Sequence, residues 1–170
     1  AGQSCVGDHF AWFVENCVPE SYEQEARVRG ISIHQLLSEK LSTYKAGASG
    51  LLALDWFNGV RTPLMDFNLN GLIMGMNLLT KPEEIYLSLI EATAYGTRMI
   101  IEGFEEAGLE VKDITLSGGI PIKNEMLVQV YSDVCNRKIK VVDSTQSSAL
   151  GAAILGAAAA PERITGFKNA

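Results

Sequence analysis

Residues 114–134, ITLSGGIPIKNEMLVQVYSDV, decide how this chain is to be read. Ile114 and Thr115 are β-branched and, with Leu116, predict a short strand. Gly118 and Gly119 predict a turn, and an amphipathic helix is expected over 123–135. A strand that ends in paired glycines and restarts as a helix brings backbone N–H groups to the rim of a sheet. Glycine admits positive φ and a close approach by a ligand. The helix N-terminus adds unpaired donors and a partial positive charge. Such a turn suits a nucleotide, and it also serves as an ordinary strand-to-helix connector. Neither G-x-x-x-x-G-K-[ST] nor a G-x-G-x-x-G following a strand occurs in the chain, which excludes a P-loop NTPase and a Rossmann dehydrogenase.

The pattern continues on both sides. Downstream, a strand is expected at 138–142 and a helix at 147–160, so strands alternate with helices as in α/β architecture. Upstream, Pro82 opens a long helix running to about Ala107, with Pro82 suited to the first helical position. Ile85, Leu89, Ala92, Gly96, Met99 and Gly103 mark one side of it. Leu87, Ile90, Ala94 and Ile101 mark another, predicting a helix buried on two sides. Its acids, Glu83, Glu84, Glu91, Glu102, Glu105 and Glu106, are expected to form a solvated face. Leu51 to Asp55 reads as a buried strand, 56–63 as a loop turning at Asn58-Gly59, and Leu72 to Met76 as a second strand. Three shorter helices come first: Gly7 to Val18, Ser21 to Arg29 and Ser32 to Thr43. The first has a stripe of Phe10, Val14 and Cys17, which places Cys17 in the core. In the closing helix, Gly151, Ala152, Ala153 and Gly156 are expected where a neighbouring element approaches closely, so that Gly156→Leu would overpack.

At 170 residues and 47% hydrophobic the chain is long enough for one domain with a real core. Its net charge of −6 argues against nucleic-acid binding, which needs basic surface. No apolar run approaches the roughly 18 residues of a membrane span, so no membrane partner is expected. Cys5, Cys17 and Cys135 are an odd and sparse set, as in a reducing compartment; neither they nor His9 and His34 have metal-ligand spacing, and no metal site is expected. Ala1 opens the chain inside what looks like a domain, and 161–170 resemble a frayed or truncated end. The expectation is a piece of a longer protein.

Five segments together resemble the C-terminal domain of the FGGY carbohydrate kinases. They are AGQSCVGDHFAWF (1–13), LDWFNGVRTP (54–63), the stretch 68–102 that opens NLNGLIMGMNLLTKPEE, LSGGIPIKNEMLVQVYSDV (116–134) and SSALGAAILGAAAA (147–160). They fall in the family's order and cover 1–160, taken as a partial C-terminal domain. The string at 54–63 is the most discriminating and resembles the members that phosphorylate L-ribulose. The resemblance implies an α/β, ribonuclease H-like (actin-like ATPase) fold: a mixed sheet flanked by helices, here truncated at its N-terminal side. It implies transfer of the ATP γ-phosphate, with Mg2+, to the terminal hydroxyl of a ketopentose in the cytoplasm, as in arabinose catabolism. The sugar and ATP are the expected partners, and a homo-oligomer remains open. The family's catalytic aspartate lies upstream of the part matched by residue 1, so Asp8, Asp55 and Asp66 do not take that role. By position, Gly118 and Gly119 would lie against adenine and ribose, and Asn124 would bond the adenine edge through an amide that offers donor and acceptor together. Gln3, Asp55, Asn58 and Arg61 would lie near the sugar; alternatively the loop is tied by its own Asn-Gly turn and an Arg–Asp pair. Other sugars the family accepts, xylulose, glycerol or rhamnulose, stay open, as does a free-standing nucleotide- or protein-binding module without catalysis.

Overall fold

The computed structural model describes residues 2–144 and 146–160. The end at 161–170, expected to be frayed, lies outside the described residues. Seven helices and four short strands are described: α1 Gly7–Cys17, α2 Glu20–Arg29, α3 Ile33–Lys40, β1 Leu52–Leu54, β2 Leu72–Met74, α4 Pro82–Glu106, β3 Ile114–Leu116, α5 Gly119–Lys123, α6 Glu125–Cys135, β4 Ile139–Val141 and α7 Ser147–Ala159.

The helices begin and end where local chemistry dictates. Ser32 Oγ accepts from the Gln35 N–H at 3.1 Å and caps α3. Gly30, at φ 65, closes α2 in the left-handed region. Pro82 starts α4, and the Glu84 carboxylate reaches back to the Lys81 N–H at 2.8 Å. Asn124 caps α6.

The 25-residue α4 is the axis of the molecule. It packs against α6, β1, α1 and α3. Between Tyr86 and Ala94 every residue is buried, and Phe10, Phe13, Leu37, Leu41, Ala53, Leu127, Val130 and Tyr131 close around it. Its second half departs from the two-sided burial that periodicity predicts. Ile101 is buried, but Tyr95, Met99 and Phe104 are exposed.

The strands form two separate pairs rather than one mixed sheet. β1 and β2 are antiparallel, with Leu52 opposite Met74 and Leu54 opposite Leu72; β3 and β4 are parallel, with Ile114 opposite Ile139 and Leu116 opposite Val141. β1 is half-buried rather than buried. Directly paired residues share a face, so Ala53 and Ile73 meet the core while Leu52, Leu72 and Met74 are exposed.

Three further expectations are corrected. Cys17 is exposed: the buried stripe of α1 is His9, Phe10 and Phe13, and Val14 and Val18 rather than Cys17 continue the packing on the core. The acids of α4 are not one solvated face. Glu83 and Glu91 are buried, Glu83 accepting from the Tyr22 hydroxyl at 2.8 Å and Glu91 from the Gly47 N–H at 2.6 Å. On α7 no residue is buried, and a Cβ added at Gly151 or Gly156 would meet nothing within 4 Å. Among the described residues that helix has no close neighbour for its small side chains, so the overpacking expected of Gly156→Leu has no physical basis there.

Candidate functional site

The turn after β3 is built by backbone geometry. Gly118 sits at φ 100, ψ −179, a conformation that L side chains rarely adopt, and is followed by the short helix α5. The space where a Cβ would stand is empty at both Gly118 and Gly119. Asn124 interrupts the helical run at φ −138, ψ 85, and its Oδ1 accepts the Leu127 N–H at 3.0 Å. Asn124 is therefore a helix cap whatever else it does.

A cleft of about 430 Å³ opens between this turn, α1, α3 and α4. Phe10, Ile120, Gly119, Tyr86, His34 and Asn124 line it, with Lys123 at its edge. The Tyr86 hydroxyl lies 3.1 Å from His34 Nδ1. Burial pushes Tyr86 up to about 12, offset in part by the Asn124 side chain, and burial pushes His34 down. Both groups are therefore uncharged at neutral pH. The result is a mostly apolar cleft with a few fixed hydrogen-bonding groups and one cation, suited to a planar heterocycle carrying an anionic tail. Gly118 faces a neighbouring cleft of about 230 Å³ with Val6, Ser117 and Tyr131, and Gly119 borders both. The structure thus brings Gly119 and Asn124 together and sets Gly118 at the adjoining opening. Tyr86 and His34 were missed by sequence reasoning. Tyr86 carries no signal that separates it from the buried stripe of α4.

A second cluster surrounds a cavity of about 30 Å³ lined by Gln3, Ser4, Asp55, Arg61, Thr62 and Gly96 among others. Asp55 is buried, and burial pushes its carboxyl up, opposed by its backbone and by Gln3. Its partner is Gln3 Nε2 at 2.9 Å. Among the described residues Arg61 forms no ion pair with Asp55, so the anticipated Arg–Asp tie is replaced by a Gln–Asp one. The Asn58-Gly59 turn does form: the Gly59 N–H donates to the Trp56 carbonyl at 3.1 Å. Asn58 is exposed, outside the cavity lining. Among the described residues no set of three His, Cys, Asp or Glu side chains could hold a metal ion, and no helix is long and apolar enough to cross a membrane.

Comparison with known proteins agrees with this architecture. Residues 1–160 match the FGGY family of carbohydrate kinases, C-terminal domain. The ribulokinase of Bacillus licheniformis is 54% identical over 169 residues, covering 99% of this chain and 31% of its own length. That of Geobacillus thermodenitrificans is 50% identical, covering 99% of this chain and 30% of its own length. The chain thus spans under a third of the curated relatives it matches. Among solved structures, a xylulose kinase from Rhodospirillum rubrum superposes with a TM-score of 0.71 at 24% identity, covering 88% of this chain and 28% of that one. The Plasmodium falciparum glycerol kinase with ADP gives 0.68 at 23%, covering 90% and 28%. At these identities the likeness to the solved structures is one of fold.

Proposed function

The chain belongs to the FGGY family of carbohydrate kinases, and from that premise we propose that its parent transfers the γ-phosphate of ATP to the terminal hydroxyl of L-ribulose, giving L-ribulose 5-phosphate and ADP. This chain is the nucleotide-side wall of the cleft. The observation that carries the substrate is the 54% identity to a ribulokinase across 99% of the chain. The string LDWFNGVRTP at 54–63 supports it.

The residues present fit the nucleotide. The cleft beside Asn124 has the volume of a small-molecule site. The missing Cβ at Gly119 leaves room for a ring, and nothing stands within 4 Å of that position. Asn124 would present its amide to the adenine edge, Gly119 would lie against adenine and ribose with Gly118 at the adjoining opening, and Lys123 would give the phosphates a nearby positive charge. Bound Mg2+ supplies charge neutralisation at the β- and γ-phosphates. It would be held mainly through the nucleotide and the rest of the parent, since Mg2+ keeps most of its contacts to phosphates and water. The part of this chain is to bind and orient, which is most of what phosphoryl transfer asks of a protein. The proton of the sugar hydroxyl passes to an aspartate outside this chain. The free thiols Cys5, Cys17 and Cys135 suit a cytoplasmic enzyme.

The test is a coupled ADP-release assay of the full-length parent with L-ribulose, D-ribulose, D-xylulose and glycerol. L-ribulose is expected to give the highest kcat/KM. A preference for xylulose or glycerol would overturn the substrate assignment while leaving the family intact.

A further inference from the structure

The Gln3 side chain is fully engaged. Its Nε2 donates to Asp55 Oδ2 at 2.9 Å and to the Thr93 carbonyl at 2.7 Å. Its Oε1 accepts from the Thr97 hydroxyl at 3.1 Å, and that hydroxyl also lies 3.0 Å from the Thr93 carbonyl. One amide therefore bridges the loop after β1 to the backbone of α4. Gly96 makes the bridge possible. A Cβ there would come within 2.4 Å of Gln3 Nε2 and 3.2 Å of Asp55 Oδ2, the first a distance that real Cβ atoms do not tolerate.

The preceding residue ties the far end of the same loop, where the Gly2 N–H donates to Thr62 Oγ1 at 3.2 Å. The loop is also braced by the segment that follows it. Val60 and Asp66 exchange backbone hydrogen bonds of 2.8 and 3.0 Å, and Gly59 packs so closely on the Phe67 backbone that a Cβ would reach 2.5 Å. Asp55 is buried and needs a donor, because an unpaired buried carboxylate is costly. Arg61, in contrast, is exposed on the wall of the cavity.

We propose that Gln3 is a positioning residue for the sugar-side loop: it latches Asp55 to α4, and so holds Arg61 and Thr62 at a fixed station beside the sugar. The latch rests on this geometry. What the loop serves rests on the kinase reading given above. In this arrangement Asp55 is the inner end of a tether, and Gly96 leaves the room the latch needs.

Four variants of the full-length parent test it: Gln3→Ala, Gly96→Ala, Asp55→Ala and Asp55→Asn. Two readouts are taken, hydrogen exchange of the 56–62 amides and steady-state KM for each substrate. Gln3→Ala, Gly96→Ala and Asp55→Ala are each expected to speed exchange in the loop and to raise the ketopentose KM roughly tenfold, with ATP KM little changed. Asp55→Asn keeps an acceptor for Gln3 Nε2 and should rescue both readouts toward wild type. If Gly96→Ala does not fold, Gln3→Ala, which adds no atoms, carries the test. Unchanged exchange and unchanged KM in Gln3→Ala would overturn the latch. So would an Asp55→Asn variant as impaired in KM as Asp55→Ala with wild-type exchange, since that carboxylate would then be touching substrate. A parent that phosphorylates none of the sugars would overturn the kinase reading instead, and the exchange rates alone would then decide the latch.

Discussion

Asn124 closes α5 and opens α6, and one lone pair of its Oδ1 already serves the Leu127 N–H at 3.0 Å. Asn124→Ala therefore removes a cap as well as any adenine contact, at a cost of about 1 kcal/mol of stability. Asn124→Ser separates the two duties, because serine caps as well as asparagine but has no amide. The serine variant of the parent is expected to melt like wild type while its KM for ATP rises roughly 2- to 12-fold, the range that corresponds to a hydrogen bond of about 0.5–1.5 kcal/mol. The sugar KM should move less, since adenine is remote from the reacting phosphate. An ATP KM unchanged in Asn124→Ser would leave Asn124 as a cap alone. His9 offers a second test at this scale. Burial lowers it from the usual 6.5 to about 4, with the Leu89 backbone and Asp8 offsetting only part of the effect. Below pH 6.5 the unfolded chain takes up a proton that the folded one refuses. Stability should fall as pH drops from about 6.5 toward 4, by roughly 3 kcal/mol at most. Asp55 and Glu91 have carboxyls raised by burial and act in the opposite sense, gaining stability as pH falls through their raised values. Both carboxyls are also present in a His9→Phe variant, so comparing the two proteins between pH 6.5 and about 4 isolates the imidazole. Urea unfolding of the parent there should show a slope that His9→Phe flattens, and an equal slope in both proteins would remove His9 as its source.

Within α4, identical side chains do different work according to what faces them. Glu91 accepts the Gly47 N–H at 2.6 Å in a buried setting, pinning the 46–50 turn to the helix. Glu102 lies on the exposed second half and pairs with Arg98 one turn away at 2.7 Å. Glu91→Ala is expected to destabilise the parent by about 1–3 kcal/mol, because it removes a buried carboxylate that accepts the Gly47 N–H and holds the turn to the helix. Glu102→Ala should cost no more than roughly 0.5 kcal/mol. Chemical denaturation of the two variants side by side decides the matter, and comparable losses would mean that Gly47 finds water when Glu91 is gone. This contrast also marks what was legible in the sequence. Helical periodicity correctly gave the extent of α4 and its buried first half. It was blind to which acids find partners, because Tyr22, Tyr44 and Gly47 arrive from segments far away in the chain. Cys17 misled for a related reason: its spacing extends the stripe of α1, yet Val14 and Val18 are the residues that meet the core there. In α7 the Ala and Gly composition was read as a packing surface, yet composition does not name a partner.

At the scale of the molecule, local signals were enough for the strand–turn–helix at 114–134 and the Asn58-Gly59 turn, since each depends on residues adjacent in sequence, whereas the break into α5 and α6 at the Asn124 cap went unread. The cleft and the Gln3 latch were not legible. Gln3 meets Thr93 and Thr97, and His34 meets Tyr86, only after the chain has folded across α4. The same limit governs what this chain can do by itself. It spans 31% of a ribulokinase to which it is 54% identical, and in the function proposed above it supplies one wall of the cleft while the base for the sugar hydroxyl comes from the rest of the parent. General-base chemistry needs a group within hydrogen-bond reach of the hydroxyl. The isolated 170-residue chain is therefore expected to show no sugar-dependent ADP release. Adenine nucleotide should still engage the turn, with a Kd of about millimolar, or about −4 kcal/mol, because an open wall recovers little of the burial that a closed site provides. Titration with ATP followed by NMR should move the amides of Gly119, Ile120 and Asn124 first, with Gly118 responding less because it faces the neighbouring cleft. Shifts centred instead on the loop at 55–63 would place the nucleotide where the sugar is proposed to sit, and turnover by the pure chain would show that the reaction needs no group from outside it.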